Sequence, residues 1–107
     1  MERICTTQLK LDKNVNEGDK ESLLSLFNSK ERIKNMDILA NAEEGQIVRV
    51  VLEGLGEVDL KLGTDIEKGQ RKTIMTLFWF PEKSQKFEIK RKAEAGETVT
   101  VNIWKLN

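Results

Sequence analysis

The chain has 107 residues, enough for one hydrophobic core and not for two, so a single domain over residues 1–107 is expected. Its 18 basic and 18 acidic side chains cancel, and 34% charged against 38% apolar residues describe a well-solvated globular protein. Histidine is absent, which excludes histidine acid–base catalysis, Ser-His-Asp and Cys-His nucleophiles and histidine metal sites.

Residues 3–11 alternate, with Cys5, Thr7, Leu9 and Leu11 on one face, and predict a first strand. Asp12 to Gly18 is a polar loop. Asp19 has the side chain of a helix N-cap, and Leu23, Leu24 and Phe27 form one apolar stripe of a short helix that stops near Asn28-Ser29. Residues 33–40 are ambiguous and favour a strand through Met36, Ile38 and Ala40. Glu43-Glu44-Gly45 turns the chain into the apolar run Ile47 to Leu52, and Gly54-Leu55-Gly56 turns it again into Val58, Leu60 and Leu62. Residues 63–70 read as a glycine-bounded loop. Thr73 to Phe80 is apolar on both faces and predicts a central strand ended by Pro81. Residues 86–91 give a short basic strand, and Thr98 to Leu106 the last. The expected fold is α+β: a mainly antiparallel twisted sheet or partly open barrel of about six strands with one short helix.

Two segments 51 residues apart share Ala-Glu-x-Gly-x-x-Val-x-Val, at Ala42–Val50 and Ala93–Val101. A glycine turn feeding a β-branched strand is common chemistry, and the echo is read as that rather than as a duplication.

The search for reactive groups excludes most chemistries. Cys5 is the only cysteine, so no internal disulfide forms, and its place on an apolar face points to core packing. The opening segment Met1 to Thr6 has no apolar stretch of signal-peptide length, and the longest apolar run, Leu77 to Phe80, is far short of the roughly 20 residues of a membrane span. A cytoplasmic protein without a membrane partner is expected. The stretch beginning Asp12-Lys13-Asn14 starts like a calcium loop, but Glu17 stands where the glycine belongs and Leu23 where the bidentate glutamate belongs. Asp59-Leu60-Lys61 and Glu88-Ile89-Lys90 have the short part of a metal-dependent nuclease motif, and chance supplies about two such matches at this composition. No catalytic residue, metal ligand or cofactor is assigned.

Binding features remain. Residues 1–67 carry 9 basic and 14 acidic groups, residues 68–107 carry 9 basic and 4 acidic. The basic stretch holds Lys83, Lys86, Lys90, Arg91 and Lys92, spaced to track phosphates on single-stranded DNA or RNA. Phe78-Trp79-Phe80 could stack bases, but a run of this kind on a two-sided strand reads first as core. Trp104 falls on the more polar face of the last strand and is a candidate contact residue. Glu53, Glu57, Asp59, Asp65 and Glu67 could form a local acidic patch.

The size, the lysine- and asparagine-rich composition and the ending Lys-Arg-Lys-Ala-Glu-Ala-Gly-Glu-Thr-Val-Thr-Val-Asn-Ile-Trp-Lys-Leu (residues 90–106) resemble the small proteins of Gram-positive phages and prophages. Among these the chain looks most like the anti-CRISPR inhibitors of type II effector nucleases. The resemblance implies a non-enzymatic protein that binds the effector with its guide RNA and blocks guide or target-DNA engagement. That class shares no motif, so it carries over no functional residue. The neutral charge departs from strongly acidic DNA mimics and implies occlusion by protein–protein contact. The alternative is a single-stranded DNA- or RNA-binding module using residues 83–92.

Overall fold

Alternating segments build the central sheet of the computed structural model, which describes residues 1–106. Strands β1 (Glu2–Lys10), β4 (Ile47–Leu52), β5 (Gly56–Lys61) and β8 (Thr98–Lys105) lie antiparallel in the order β1-β8-β4-β5. Their inward residues, among them Leu9, Val48, Val50, Leu60, Val99 and Val101, are buried in one continuous core. Two short ribbons flank the sheet: β2 (Lys20–Glu21) with β7 (Phe87–Glu88), and β3 (Met36–Asp37) with β6 (Arg71–Lys72). Four single-turn helices complete the fold: α1 (Leu23–Leu26), α2 (Ser29–Arg32), α3 (Ile74–Leu77) and α4 (Phe80–Lys83). Among the described residues the fold is α+β with eight strands in antiparallel sheets, and the largest sheet, of four strands, does not close into a barrel. Among the described residues no helix is long and apolar enough to cross a membrane.

The expected single helix and six strands are corrected at several places: the helix of residues 19–29 is β2 followed by α1, with α2 beyond it, and the 86–91 strand shortens to Phe87–Glu88. Thr73 to Phe80 is not a central strand. Ile74, Leu77 and Phe78 are buried while Met75, Trp79 and Phe80 are exposed, the i, i+3, i+4 pattern of a helical turn. Pro81 does not end this segment; it sits in the first turn of α4, where its missing N–H is harmless. Within residues 33–40 only Met36–Asp37 is a strand. The chain then changes partner: Ile38 N–H reaches Gln70 O at 2.8 Å and Leu39 N–H reaches Ile4 O at 2.7 Å.

The helices start on small hydroxyl side chains. Ser22 caps α1 and Thr73 caps α3, each accepting from the residue three positions on, whose own hydroxyl accepts the cap's N–H in return. Asp19, the expected cap, closes a turn instead: its Oδ2 accepts from Asn16 N–H at 2.8 Å.

The echo at 51 residues extends over the whole fold. Apart from Cys5 and Ala40, every buried apolar residue has a buried apolar counterpart 51 positions away: Leu9 with Leu60, Val15 with Ile66, Leu26 with Leu77, Phe27 with Phe78, Met36 with Phe87, and so on. Residues 2–52 and 53–105 repeat the same order of elements. The strand pairs all join one half to the other, and the isolated bridges Val15–Ala93 and Ala42–Ile66 do the same. Between β4 and β8, Val51 faces Asn102, its own counterpart, so a pseudo-two-fold axis passes there. The reading of the echo as local coincidence is therefore corrected.

Both edges of the main sheet are blunted symmetrically. Glu31 Oε1 accepts Lys10 N–H and Glu82 Oε1 accepts Lys61 N–H, each at 2.7 Å. These carboxylates occupy donors that an edge strand would otherwise offer to another chain. Truncating a core side chain such as Phe78→Ala, 1% exposed, removes about 3–5 kcal/mol.

Candidate protein-docking surface

Two halves with the same skeleton differ most in what they expose. Where the first half has Asn28 and Ser29, the second has Trp79 and Phe80, which are 63% and 69% exposed. Asn28 caps α2 through its side chain, accepting from Glu31 N–H, and its Nδ2 donates to Asp12 Oδ1 at 3.3 Å. Trp79 occupies the same cap position but makes no capping bond. Its indole instead lies over Gly63, the counterpart of Asp12, and Nε1 donates to Gly63 O at 3.0 Å. A Cβ at residue 63 would stand 2.4 Å from Trp79 Cδ1, so the glycine is what lets the ring lie flat on the backbone. A cavity of about 110 Å³ opens beside the ring, with Lys61, Leu62 and Glu82 on its walls.

Further large apolar side chains are exposed on α2 and α3. Met75, in α3, is 38% exposed, and Ile33, at the C-terminus of α2, is 59% exposed. Arg32 Nη1 touches Met75 Sδ at 3.3 Å, which joins α2 to α3 at this end of the molecule. Exposed large apolar side chains, aromatic ones above all, are enriched at protein contact surfaces. Of the Phe78-Trp79-Phe80 run only Phe78 is core. The expectation that all three pack inside fails because the run links two helical turns, with Trp79 the extended cap of α4 and Phe80 its first residue, both facing out.

The basic stretch is not a continuous strip. Lys83 is buried, and its Nζ donates to Met75 O at 3.3 Å; burial and the neighbouring Arg32 pull its pKa below the usual lysine value. Lys90 contacts Glu88 at 3.5 Å, and Lys20 reaches the same carboxyl at 3.4 Å; the Lys90 and Lys20 charges hold Glu88 below the ordinary carboxylate range. Arg91 is bonded to Glu97, which lowers that carboxyl in turn. Lys86 and Lys92 are exposed.

The acidic residues divide between two places. Arg49 binds Asp59 Oδ1 at 2.8 Å and reaches Glu57 at 3.5 Å across the outer sheet face, and its hydrogen bond keeps the Asp59 pKa low. Glu53 accepts from Asn102 Nδ2 at 2.6 Å on the same sheet. Asp65 and Glu67 instead line a cavity of about 400 Å³ with Glu43 and Lys105, and Asp65 accepts Glu44 N–H at 2.8 Å. Trp104 is half-buried on the outer sheet face, in register between Arg3 and Arg49 and away from Trp79.

Sequence reasoning missed Arg32, Ile33 and Met75. Alignment of the halves at 51 residues would have located the surface, because the exchanges of Asn28 for Trp79, Ser29 for Phe80 and Asp12 for Gly63 stand out once the shared core is removed. Cys5 is buried where expected, and burial pushes its thiol up to about 12. No group of three or more Cys, Asp or Glu side chains placed to hold a metal ion occurs among the described residues.

Compared with known families, curated proteins and solved structures, the chain matches no family model, no curated relative and no solved structure.

Proposed function

We propose that the chain is a non-catalytic protein-binding module that docks through Trp79 and Phe80. The observation that carries this reading is the exposure of two adjacent large aromatics at a place where the repeated fold departs from its own pattern. A solvent-facing Trp-Phe pair gains nothing for the fold that Asn28 and Ser29 do not already supply in the other half. Their burial against a partner gains contact area from side chains with few rotatable bonds. Given the resemblance described above, the partner to test first is a type II CRISPR effector nuclease with its guide RNA, inhibited by occlusion of guide or target engagement.

The single-stranded nucleic-acid reading has less support, because Lys90 and Arg91 face carboxylates, which breaks the basic stretch as a phosphate track. Gel filtration with the guide-loaded effector tests the proposal. A stoichiometric complex lost in W79A/F80A and kept in K90E/R91E/K92E is the expected result. No effector complex, together with salt-sensitive binding of bare single-stranded DNA or RNA, overturns it.

A further inference from the structure

The helical end of the pseudo-axis holds two cations and no counter-ion. Arg32 and Lys83 are symmetry counterparts, and Met75 lies between them: Arg32 Nη1 donates to Met75 Sδ and Lys83 Nζ to Met75 O, both at 3.3 Å. Arg32 Nε donates to Phe27 O at 2.8 Å. Among the described residues neither cation has a carboxylate within 4.0 Å. The acids on the same helices are committed elsewhere, Glu31 to Lys10 N–H and Lys34, and Glu82 to Lys61 N–H.

A thioether sulfur is a weak acceptor, yet it is what the guanidinium meets on this side. Lys83 is 5% exposed, so its ammonium is drawn out of water beside a second positive charge. Bringing like charges together in a partly dry place costs stability unless an anion joins them. Met75 is unbranched and partly exposed, and it can swing off the guanidinium to admit one.

We infer that Arg32 and Lys83 form a carboxylate-binding site, walled by Met75 and flanked by exposed Ile33 and Phe80, whose occupant is an acidic side chain on an apolar segment of the partner protein. A guanidinium fork takes a carboxylate in two parallel hydrogen bonds, and the flanking side chains suit the apolar residues around it. A two-fold dimer of this chain through the site does not fit, because it would set Arg32 and Lys83 against the same two cations. As an account of the partner, the inference rests on the docking reading above; the site itself is testable without a partner.

The probe is 4-phenylbutyrate, a carboxylate with an apolar body, titrated into the full chain at constant ionic strength and followed by backbone amide shifts. A ligand of this size reaches a Kd on the order of millimolar. Saturable shifts at Arg32, Met75 and Lys83 are expected, weakened about tenfold in R32Q, the loss of a charged hydrogen-bonding partner. K83M serves as a second variant, and R32Q, at the more exposed position, keeps the test open if K83M fails to fold. The neutral 4-phenylbutyramide should give no such shifts. Equal response to acid and amide, no saturable shift, response only to inorganic phosphate, or an unaltered titration in R32Q overturns the site. The W79A/F80A experiment is independent of this titration, so failure of the site and failure of the docking reading are told apart.

Discussion

Gly63→Ala separates what Trp79 does for the fold from what it does at the surface. The backbone at Gly63 is not in the left-handed region, so alanine is conformationally allowed. Its Cβ would meet Trp79 Cδ1 at 2.4 Å and Nε1 at 2.7 Å, and the indole must leave the backbone. The lost Nε1 bond to Gly63 O, 3.0 Å and solvent-exposed, costs about 0.5–1.5 kcal/mol. The stiffer unfolded chain returns about 0.4–1 kcal/mol. The two nearly cancel, so the thermal midpoint should move by less than about 8 °C. In a W104F background only Trp79 fluoresces, and its emission should shift to the red with stronger acrylamide quenching. Binding to the proposed partner should fall with it. G63D/W79N, which installs the chemistry of Asp12 and Asn28, should fold as well as the parent and still not bind. Unchanged emission, or a midpoint lowered by more than about 8 °C, refutes the reasoning, since Trp79 would then be either immobile or a structural strut.

Three further outcomes are expected. Glu31 is buried and its pKa is lowered by the bonds from Lys34 and from Lys10 N–H, so the stability it contributes is present above its ordinary value of 4.5 and is lost as pH falls; urea melts at pH 6 and pH 3 should show a smaller difference in E31Q than in the parent. The Cys5 thiol is raised from 9.0 to about 12, so the unfolded chain releases its proton first and stability declines as pH rises through that window. Native protein should react with a thiol reagent only at the rate of unfolding, and C5A should remove the alkaline decline due to this thiol. At Gly56 a Cβ would stand 2.9 Å from Glu88 O and 3.1 Å from the Phe87 ring; G56A should lower the unfolding free energy from urea melts by about 1–3 kcal/mol, through displacement of β7, and an unchanged stability would show that β7 yields freely.

The four long strands were legible because each buries one face, and period-two alternation survives in Leu9, Val48-Val50-Leu52, Leu60 and Val99-Val101-Ile103. The helices were not. A four-residue helix shows hardly more than one period, and Ile74 to Phe80 places apolar residues both inside and outside, which mimics a two-sided strand. The caps gave little signal, because the partner three residues on is Ser25 or Thr76 rather than the usual glutamate or glutamine. The docking surface was hidden for the same reason: Trp79 and Phe80 look like core until the local period is known. The basic stretch looked continuous in sequence because the intervening carboxylate of Glu97 and the inward turn of Lys83 are tertiary facts.

The pairing of every strand with one from the opposite half has a kinetic consequence. Neither half owns a sheet, so neither can nucleate by itself. The one ladder between neighbours in sequence is the β4–β5 hairpin, turned at Gly54, where φ is +73°. Every other ladder closes a longer loop, from the stretch between Asp37 and Arg71 for β3 with β6 to nearly the whole chain for β1 with β8. A protein of this size with such distant pairings belongs among the slow folders, with relaxation on the order of milliseconds to seconds, and the seam between its two halves is the pairing that costs least loop closure.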